Sequence, residues 1–439
     1  MSDSSASLDA VTGLPGRTAL ESELAPLLSA DAGSQVAVLL VGLDGFAVVR
    51  DGLGFDAADE LLAGVARTLR EIFRDGRPVL ARLPGDVFAV AVPGEHGAAS
   101  AGELADSVIA ALGRPSYVDG VGVGISASVG IFLAGTHQAR PAEAIRSAQV
   151  ALRRAKELGR TRWVLFDPVA GHEDAERYRL ACGIAGALES GELAVVYRPH
   201  VVLPDAAIIT SLNAVLRWRH PELGELRPEL FHPLAETTGM TVALGRHLLT
   251  ETLRTAGEWR ARFGDDAPTV CLTLPRRMAI DGDLVRFVGR ELDRNGLRHR
   301  HLMLCTDGPS LLDDRGDLLG SLGELARAGV VFVVDVTGLP ELELLPALDV
   351  PAPAVMLTGA IIDALEVDDP PERAVRTIRQ LVERAGELGI KVGARGVLSE
   401  AHARLLFDIG VVVASGPYLP TYATGEEAET WVGRTFPLG

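Results

Sequence analysis

Short apolar segments alternate with helical ones throughout the second half of the chain, and this alternation restricts the fold more than any other feature. Candidate strands lie at residues 194–197, 214–218, 269–274, 301–305, 330–334, 354–357, 391–394 and 411–414. Strands that alternate with helices form parallel sheets, and eight such units close into a (β/α)8 barrel. The pattern therefore predicts a TIM-type barrel over residues 191–429, with its functional groups at the carboxyl ends of the strands.

The first 167 residues follow a different pattern, in which strands and helices are mixed around a central hairpin. Candidate strands lie at 36–43, 77–83, 87–92 and 125–133, and candidate helices at 56–73 and 141–158. The turn Pro84-Gly85-Asp86 between two of these strands is typical of a hairpin. We therefore predict an α/β two-domain protein: a mixed-sheet domain over 1–167, a linker helix over 168–190, the barrel, and a C-terminal tail over 430–439.

Composition and charge exclude several classes of protein. A hydrophobic content of 47% and a charged content of 23% are those of a globular chain. The formal net charge of −17 disfavours a nucleic-acid partner, because phosphate groups would repel it. No apolar run approaches the roughly 18 residues of a membrane span, and no signal pattern opens the chain. We therefore expect no membrane partner and a cytoplasmic location.

The three cysteines, Cys182, Cys271 and Cys305, are scattered along the chain in apolar surroundings. Their spacing is not that of a metal site. We expect buried thiols in a reducing compartment.

Three motifs in the first domain carry a resemblance to a known family. Residues 9–17 are similar to an opening "DxLTGLPNR", residues 155–160 to a closing "AKxxGR", and residues 82–88 stand where a GGDEF signature would be. Residues 9–167 therefore resemble GGDEF diguanylate cyclases. The resemblance implies a nucleotidyl-cyclase palm fold. It also implies chemistry in which a 3′-hydroxyl of one GTP attacks the α-phosphate of another, with metal held by carboxylates.

The resemblance also indicates which groups of that site are missing. Of its two metal carboxylates, one position is Gly42, while the other survives as Asp86. The residue after Asp86 is Val87, and Pro84 replaces a glycine, so the turn loses an amide donor and has a restricted φ. One carboxylate cannot hold a pair of magnesium ions, so we predict no cyclase activity.

Some nucleotide-binding groups of the cyclase family persist. Lys156 and Arg160 match the pair that neutralises the β- and γ-phosphates, and Asp59 matches the acid beside the guanine-reading position, which is Arg50 here. One interpretation is weak GTP binding. The other is a solvated helix end, since cations are favoured in a last helical turn by the helix dipole.

The barrel region carries a second resemblance. The segment 197–199 is similar to "YQP", and residues 212–221 are similar to the opening of an EAL domain, with Asn213 in place of its glutamate and Arg217-Trp218 as its "RW". Residues 187–418 therefore resemble EAL phosphodiesterases. The resemblance implies hydrolysis of a phosphodiester with two metal ions, which need several oxygen ligands at one end of the barrel.

Most ligand positions of that metal pair are replaced. The replacements are Asn213, Thr273, Leu304, Val336, Met356, Thr358 and Arg395, while Asp307 and Asp335 remain as vestiges of the site. We predict that the two-metal magnesium or manganese site is lost, that no cofactor is bound and that no residue is catalytic. Arg395 would pair with Asp335 in place of a metal, or face solvent.

The substrate-binding positions of the barrel are also altered, although one phosphate-binding arginine is kept. Arg217 matches a phosphate-gripping arginine of the EAL family, and Arg198 stands where the family has glutamine. The alternative for Arg217 is an ion pair at the barrel rim with Glu236.

The two resemblances imply a role in cyclic di-GMP signalling, and the missing residues predict a pseudo-enzyme that acts there through an unknown protein partner or as a homodimer. An alternative is a non-catalytic receptor that binds cyclic di-GMP or GTP with low affinity through Arg198, Arg217, Lys156 and Arg160. Residual phosphodiesterase activity is the least compatible with the missing ligands.

Overall fold

The computed structural model describes residues 8–436 except 30–34, 95, 119–120, 136–138, 204–206, 349, 351, 366–369, 420–421 and 433–434. The chain divides into two compact units, Met1–Arg177 and Tyr178–Gly439. Residues 433–434 and 437–439 of the predicted C-terminal tail lie outside the described residues. The division falls inside the helix that the sequence predicts as a linker, and the predicted domain limits stay a prediction.

The first unit contains one main sheet with helices on both faces. Its strands are β1 Gln35–Asp44, β2 Val79–Arg82, β3 Val87–Gly94, β4 Ser116–Val118, β5 Val121–Val123, β6 Ser126–Gly135 and β7 Trp163–Leu165. Its helices are α1 Arg17–Leu28, α2 Phe46–Leu53, α3 Phe55–Ile72, α4 Ala98–Leu112 and α5 Pro141–Glu157, and α6 Pro168–Glu189 crosses the division. The sheet order is β2-β3-β1-β6-β7, and β4 and β5 form a separate ribbon.

The central strand β1 explains why helices cover both faces of this sheet. Nine of its ten residues are buried, and successive side chains point to opposite faces. Leu39 and Val41 pack in one apolar core with α3 and α4, whereas Val38 and Leu40 pack in another with α1 and α5. A strand that is buried on both faces is a continuous apolar run, as the sequence has it.

The second unit is a closed eight-stranded barrel, and this confirms the fold predicted from the sequence. The eight strands of the barrel are β8 Leu193–Val202, β9 Ala207–His220, β11 Thr269–Thr273, β12 Leu302–Asp307, β13 Val331–Val336, β14 Ala354–Leu357, β15 Lys391–Arg395 and β16 Val413–Ser415. Two further strands, β10 Gly224–Leu226 and β17 Thr435–Phe436, pair with β9 outside the closed ring. Its helices are α7 Pro228–Thr238, α8 Thr241–Phe263, α9 Arg276–Ala279, α10 Leu284–Arg294, α11 Gly320–Ala328, α12 Leu339–Ala347, α13 Ala360–Asp363, α14 Glu372–Glu387, α15 Glu400–Ile409 and α16 Gly425–Glu429.

One barrel strand departs from a uniformly parallel barrel. Strands β9 and β11–β16 are adjacent in this order and run parallel to one another. Strand β8 lies between β16 and β9, closes the barrel and is antiparallel to both. Residues 203–206 alone connect β8 to β9. A parallel crossover needs a dozen or more residues, so a connection this short makes the two strands antiparallel.

Alternate residues of the barrel strands pack inside and outside. Leu272, Leu304 and Val334 belong to the large core between the barrel and its helices. Their neighbours Cys271, Cys305 and Val333 form a separate buried cluster with Met356. This second cluster is the apolar part of the barrel interior, and the polar side chains considered below lie on the same faces of these strands.

Among the helices that the structure describes, none has both the length and the apolar content needed to cross a bilayer.

Candidate functional site

The hairpin of the first unit is held by the N-terminal motif. Arg82 at the end of β2 pairs with Asp9 at 2.8 Å, and its side chain also donates to the Gly85 carbonyl oxygen at 3.1 Å. Burial opposes ionisation of Asp9, but hydrogen bonds from Thr12 and Arg82 outweigh it and lower the pKa of Asp9. Gly85 has a φ of +83°, which a glycine adopts without strain. The motif at residues 9–17 therefore has a structural role in this unit.

Lys156 occupies the space beside the missing carboxylate of the cyclase-like site. A Cβ atom added at Gly42 would lie 2.9 Å from Lys156 Cε and 3.0 Å from its Nζ. The same Nζ is 3.9 Å from Asp86 Oδ2. The structure thus brings Lys156 and Asp86 together, and an ammonium group stands next to the one surviving carboxylate.

The other predicted nucleotide-binding residues of this unit are both exposed. Asp59 is exposed on α3, and Arg160 is exposed just after α5 with a φ of +61°. Within the described residues, no hydrogen bond or ion pair links either side chain to Lys156 or Asp86. Their role in nucleotide binding stays a prediction.

Asp44 is a buried carboxylate that the sequence analysis does not single out. It lies at the end of β1 and accepts hydrogen bonds from Ser128 at 3.0 Å, Ser126 at 3.2 Å and the Thr161 backbone at 3.2 Å. Its position directly after an apolar strand is the sequence feature that could have identified it. These three donors give Asp44 a structural role: it ties β1 to β6 and to the segment after α5.

An ion pair lies inside the barrel between β13 and β15. Arg395 Nε donates to Asp335 Oδ1 at 3.1 Å, and the two side chains are 22% and 24% exposed. This confirms the predicted pairing of Arg395 with Asp335. Burial raises the pKa of Asp335, the positive charge of Arg395 opposes that rise, and Asp307 adds to it.

Asp307 on β12 and Asn213 on β9, two other positions predicted to be vestiges of the metal site, lie on other strands of the same barrel. Asp307 lies opposite Asp335 in the β12–β13 register, and its Oδ1 accepts the Ser310 backbone N–H at 2.8 Å. Asn213 is buried opposite Arg198 and Cys271 on the neighbouring strands. Asp307 thus stabilises the turn that follows β12.

The residues at this end of the barrel do not fit a pair of divalent cations. Such a pair needs several oxygen ligands, whereas Asp335 and Asp307 offer two carboxylates and Arg395 brings a positive charge against one of them. In the described part of the chain, no three His, Cys, Asp or Glu side chains converge as metal ligands would. The loss of the metal site stays a prediction for metal titration to test.

Two arginines meet at one aromatic ring in the barrel mouth. The guanidinium carbons of Arg198 and Arg217 each lie 4.1 Å from the ring centroid of Tyr422. Cation–π contacts of this kind stabilise arginines that are withdrawn from water. Burial lowers the pKa of Arg198, and the positive charges of Arg217 and Arg395 lower it further. Tyr422 could not be assigned from the sequence, since it lies more than 200 residues from either arginine.

The predicted pairing of Arg217 with Glu236 is wrong. Arg217 Nε lies 3.4 Å from Glu225 on β10, and Glu236 pairs with Arg277 at 2.7 Å. Trp218, the neighbour of Arg217, packs in the core outside the barrel, so Arg217 points the other way, away from α7 and Glu236.

The cysteines fall into two groups. Cys271 and Cys305 are fully buried in the barrel interior, as predicted, whereas Cys182 on α6 is exposed and the prediction for it is wrong. Consecutive side chains of a helix point in different directions, so Cys182 lies off the buried face formed by Ala181, Ile184 and Ala187. A hydrogen bond with Cys305 and burial together raise the pKa of Cys271.

The fold and this site define a two-domain α/β protein: a mixed-sheet unit followed by a barrel with an arginine-lined mouth. Residues 6–162 match the family model "Diguanylate cyclase, GGDEF domain", and residues 182–421 match the model "EAL domain". The chain therefore belongs to the tandem GGDEF–EAL family.

Several known proteins are similar to this chain. The bifunctional diguanylate cyclase/cyclic di-GMP phosphodiesterase MucR of Pseudomonas aeruginosa is 31% identical over 405 residues, which cover 92% of this chain and 58% of MucR. The cyclic di-GMP phosphodiesterase PdeR of Escherichia coli is 26% identical over 406 residues, which cover 92% of this chain and 60% of PdeR. The chain thus spans less than two thirds of the length of either relative.

A solved structure of the PaMucR phosphodiesterase in complex with cyclic di-GMP matches part of the chain. It is 28% identical, with a TM-score of 0.52, and the match covers 57% of this chain and 99% of that one. The barrel of this chain therefore has the fold of that phosphodiesterase.

Proposed function

We propose that this GGDEF–EAL protein acts in cyclic di-GMP signalling without turning over a nucleotide, through contacts with a protein partner or a second copy of itself. The relatives support the pathway, since MucR and PdeR are proteins of cyclic di-GMP synthesis or hydrolysis. The ion pair between Arg395 and Asp335 carries the proposal of inactivity.

The charge balance in the barrel supports inactivity of the EAL unit. Two divalent cations concentrate about four positive charges within roughly 4 Å, and carboxylates must balance them. Asp335 already has a guanidinium as its counter-ion, and Asp307 is engaged by a backbone N–H. To bind here, a pair of metal ions would have to displace Arg395, and at most two carboxylates would then be present to coordinate them.

The first unit is proposed to be inactive for the same reason. Its one surviving carboxylate, Asp86, faces the ammonium group of Lys156, which also fills the space at Gly42. A positive charge at that place opposes the binding of magnesium. GTP could be held there, but the metal-assisted attack on its α-phosphate could not be supported.

A non-catalytic receptor for cyclic di-GMP or GTP is a second candidate function. The observation that favours it is the arrangement of Arg198 and Arg217 around Tyr422, since arginines bind phosphate groups without metal. The PaMucR barrel, which has the same fold, holds cyclic di-GMP in its solved complex.

Turnover assays on the full chain test the proposal. We expect no linear dinucleotide from cyclic di-GMP and no cyclic di-GMP from GTP, with magnesium or manganese present, while the MucR phosphodiesterase is active under the same conditions. Metal-dependent release of the linear product, abolished by Asp335→Asn, would overturn the proposal. Light scattering across a concentration series then shows whether a second copy is the partner.

A further inference from the structure

Sulfur-containing side chains gather inside the barrel. One cluster there, called the sulfur cluster below, consists of the buried residues Cys271, Cys305, Val333 and Met356, with Met303 and Ala354 partly buried against them. Four of its six residues carry sulfur, although the whole chain of 439 residues has three cysteines and five methionines. Packing alone does not require sulfur here, since valine, isoleucine and leucine fill most barrel interiors. The concentration of sulfur therefore has a chemical meaning.

The two thiols of the sulfur cluster are neighbours, because β11 and β12 are adjacent parallel strands. Cys271 lies opposite Met303 in their register, and Cys305 follows Met303 by two residues. Side chains two residues apart on a strand point to the same face, so both thiols stand on the inner face of the sheet. Both are fully buried, and a hydrogen bond joins one thiol to the other. Two thiols placed in this way can bind one metal ion together.

Two methionine thioethers belong to the same cluster. Met356 is buried, and a Cβ atom added at Gly393 on the next strand would collide with its Sδ, so the glycine makes room for the sulfur. Met303 is partly exposed and is the second residue of β12. The cluster therefore extends from the buried thiols to the amino-terminal end of the barrel, where a metal ion can enter past the Met303 thioether.

The types of ligand select the metal. Thiolate and thioether sulfur favours copper(I), whereas magnesium and manganese are bound by oxygen. A structural zinc site needs four ligands, and no three His, Cys, Asp or Glu side chains converge within the part of the chain that the structure describes. Copper(I) accepts a lower coordination number, so two thiolates with a thioether nearby are sufficient for it.

The charges near the thiols suit such a complex. A thiol must lose its proton to bind a metal ion, so copper(I) with two thiolates carries one net negative charge. The guanidinium of Arg395 acts on both thiols with its positive charge, and the carboxylate of Asp335 acts against it. A cation beside a buried thiolate stabilises it.

We propose that Cys271 and Cys305 form a binding site for one copper(I) ion inside the barrel, with the thioethers of Met303 and Met356 beside it. Binding exchanges two thiol protons for one copper(I) ion, and no electron is transferred. The ion would join β11 to β12 and stabilise the folded barrel. The site uses no nucleotide and none of the oxygen ligands of a phosphodiesterase, so it is independent of the proposed function.

Competition with bicinchoninate, a coloured chelator of copper(I), tests the site on the reduced full chain in the absence of oxygen. Copper(I) is titrated into the wild-type protein and into Cys271→Ala, Cys305→Ala and Cys182→Ala, and zinc(II) is titrated separately. Cys182 is the matched control, because it is an exposed cysteine on α6 outside the cluster. Circular dichroism verifies that each variant is folded. X-ray absorption at the copper edge identifies the ligand atoms in the wild-type protein, without any variant.

We expect the wild-type protein and Cys182→Ala to take up copper(I) from bicinchoninate and to bind it with the same affinity. The affinity should fall by about 100-fold or more in Cys271→Ala and Cys305→Ala, because the loss of even an outer partner of a metal ligand costs about 10–100-fold. The absorption spectrum should show sulfur neighbours alone.

Four results would overturn the inference. They are no uptake of copper(I) from bicinchoninate, unchanged uptake in folded Cys271→Ala and Cys305→Ala, loss of uptake in Cys182→Ala, and nitrogen or oxygen neighbours at the copper. Binding of zinc(II) as tight as that of copper(I) would overturn the assignment to a soft monovalent ion. Nucleotide turnover would refute the proposed function and leave this site unaffected.

Discussion

Replacing Arg395 with methionine should destabilise the barrel, because it leaves Asp335 without its counter-ion. The two side chains are 22% and 24% exposed, so the pair lies between a surface pair and a buried one. Breaking an exposed pair costs up to about 1 kcal/mol, and breaking a fully buried pair costs about 3–5 kcal/mol. We expect a loss of about 2–3 kcal/mol in the free energy of unfolding at pH 7.

The loss should depend on pH in a defined direction. Burial raises the pKa of Asp335 above its ordinary value of 3.8, and Arg395 opposes that rise, so the variant has a still higher pKa. The folded variant then holds the proton more tightly than the unfolded chain, and its stability falls as the pH rises through that pKa. The difference from wild type should be largest near neutral pH and shrink in acid, where the carboxyl group is protonated.

Urea unfolding at several pH values measures the free energy of unfolding of wild type and variant. Hydrogen exchange of β13 and β15 follows the stability of the barrel separately from that of the other unit. Arg384→Met is the control: its ion pair with Glu343 is exposed and screened by water, so the free energy of unfolding should fall much less than in Arg395→Met. An effect of Arg395→Met no larger than that of the control, or one that grows in acid, would refute the reasoning. The double variant Asp335→Leu/Arg395→Met should recover much of the stability.

Other predictions concern packing and thiol chemistry. Gly130→Ala should destabilise the first unit by at least about 3 kcal/mol, because a Cβ would lie 2.1 Å from the Ala148 carbonyl oxygen and the Leu152 nitrogen, which are backbone atoms of α5. Gly42→Ala should cost less, because the far end of Lys156 can move; thermal unfolding compares the two, and equal losses would contradict this. A thiol reagent should modify Cys182 in the native protein, and it should react with Cys271 and Cys305 only after the protein is unfolded. Labelling of either barrel thiol in the native protein, detected by peptide mass spectrometry, would contradict this.

The sequence was sufficient to predict where the strands of the barrel lie. Each of the eight predicted barrel strands overlaps an observed one, because apolar runs bounded by turns and helices are a local property of the chain. Strand β8 extends five residues beyond its predicted end at Tyr197, since the segment Arg198-Pro199-His200 lacks an apolar pattern. The pairing of Arg395 with Asp335 was one of two alternatives that the sequence left open, and the closed barrel decides for it by bringing the ends of β13 and β15 together.

Contacts between distant segments were decided by the tertiary structure alone. Strand β8 closes the barrel only by pairing with both β16 and β9, and Cys271 and Cys305 become neighbours only because β11 and β12 are adjacent. Tyr422 reaches Arg198 and Arg217 from a loop near the C-terminus, and Glu225 reaches Arg217 through the β9–β10 hairpin. The sequence determines the strands and helices because apolar periodicity is a local property of the chain. The set of side chains at the barrel mouth depends on the closed sheet, because the sheet brings residues from strands far apart in sequence into one small volume.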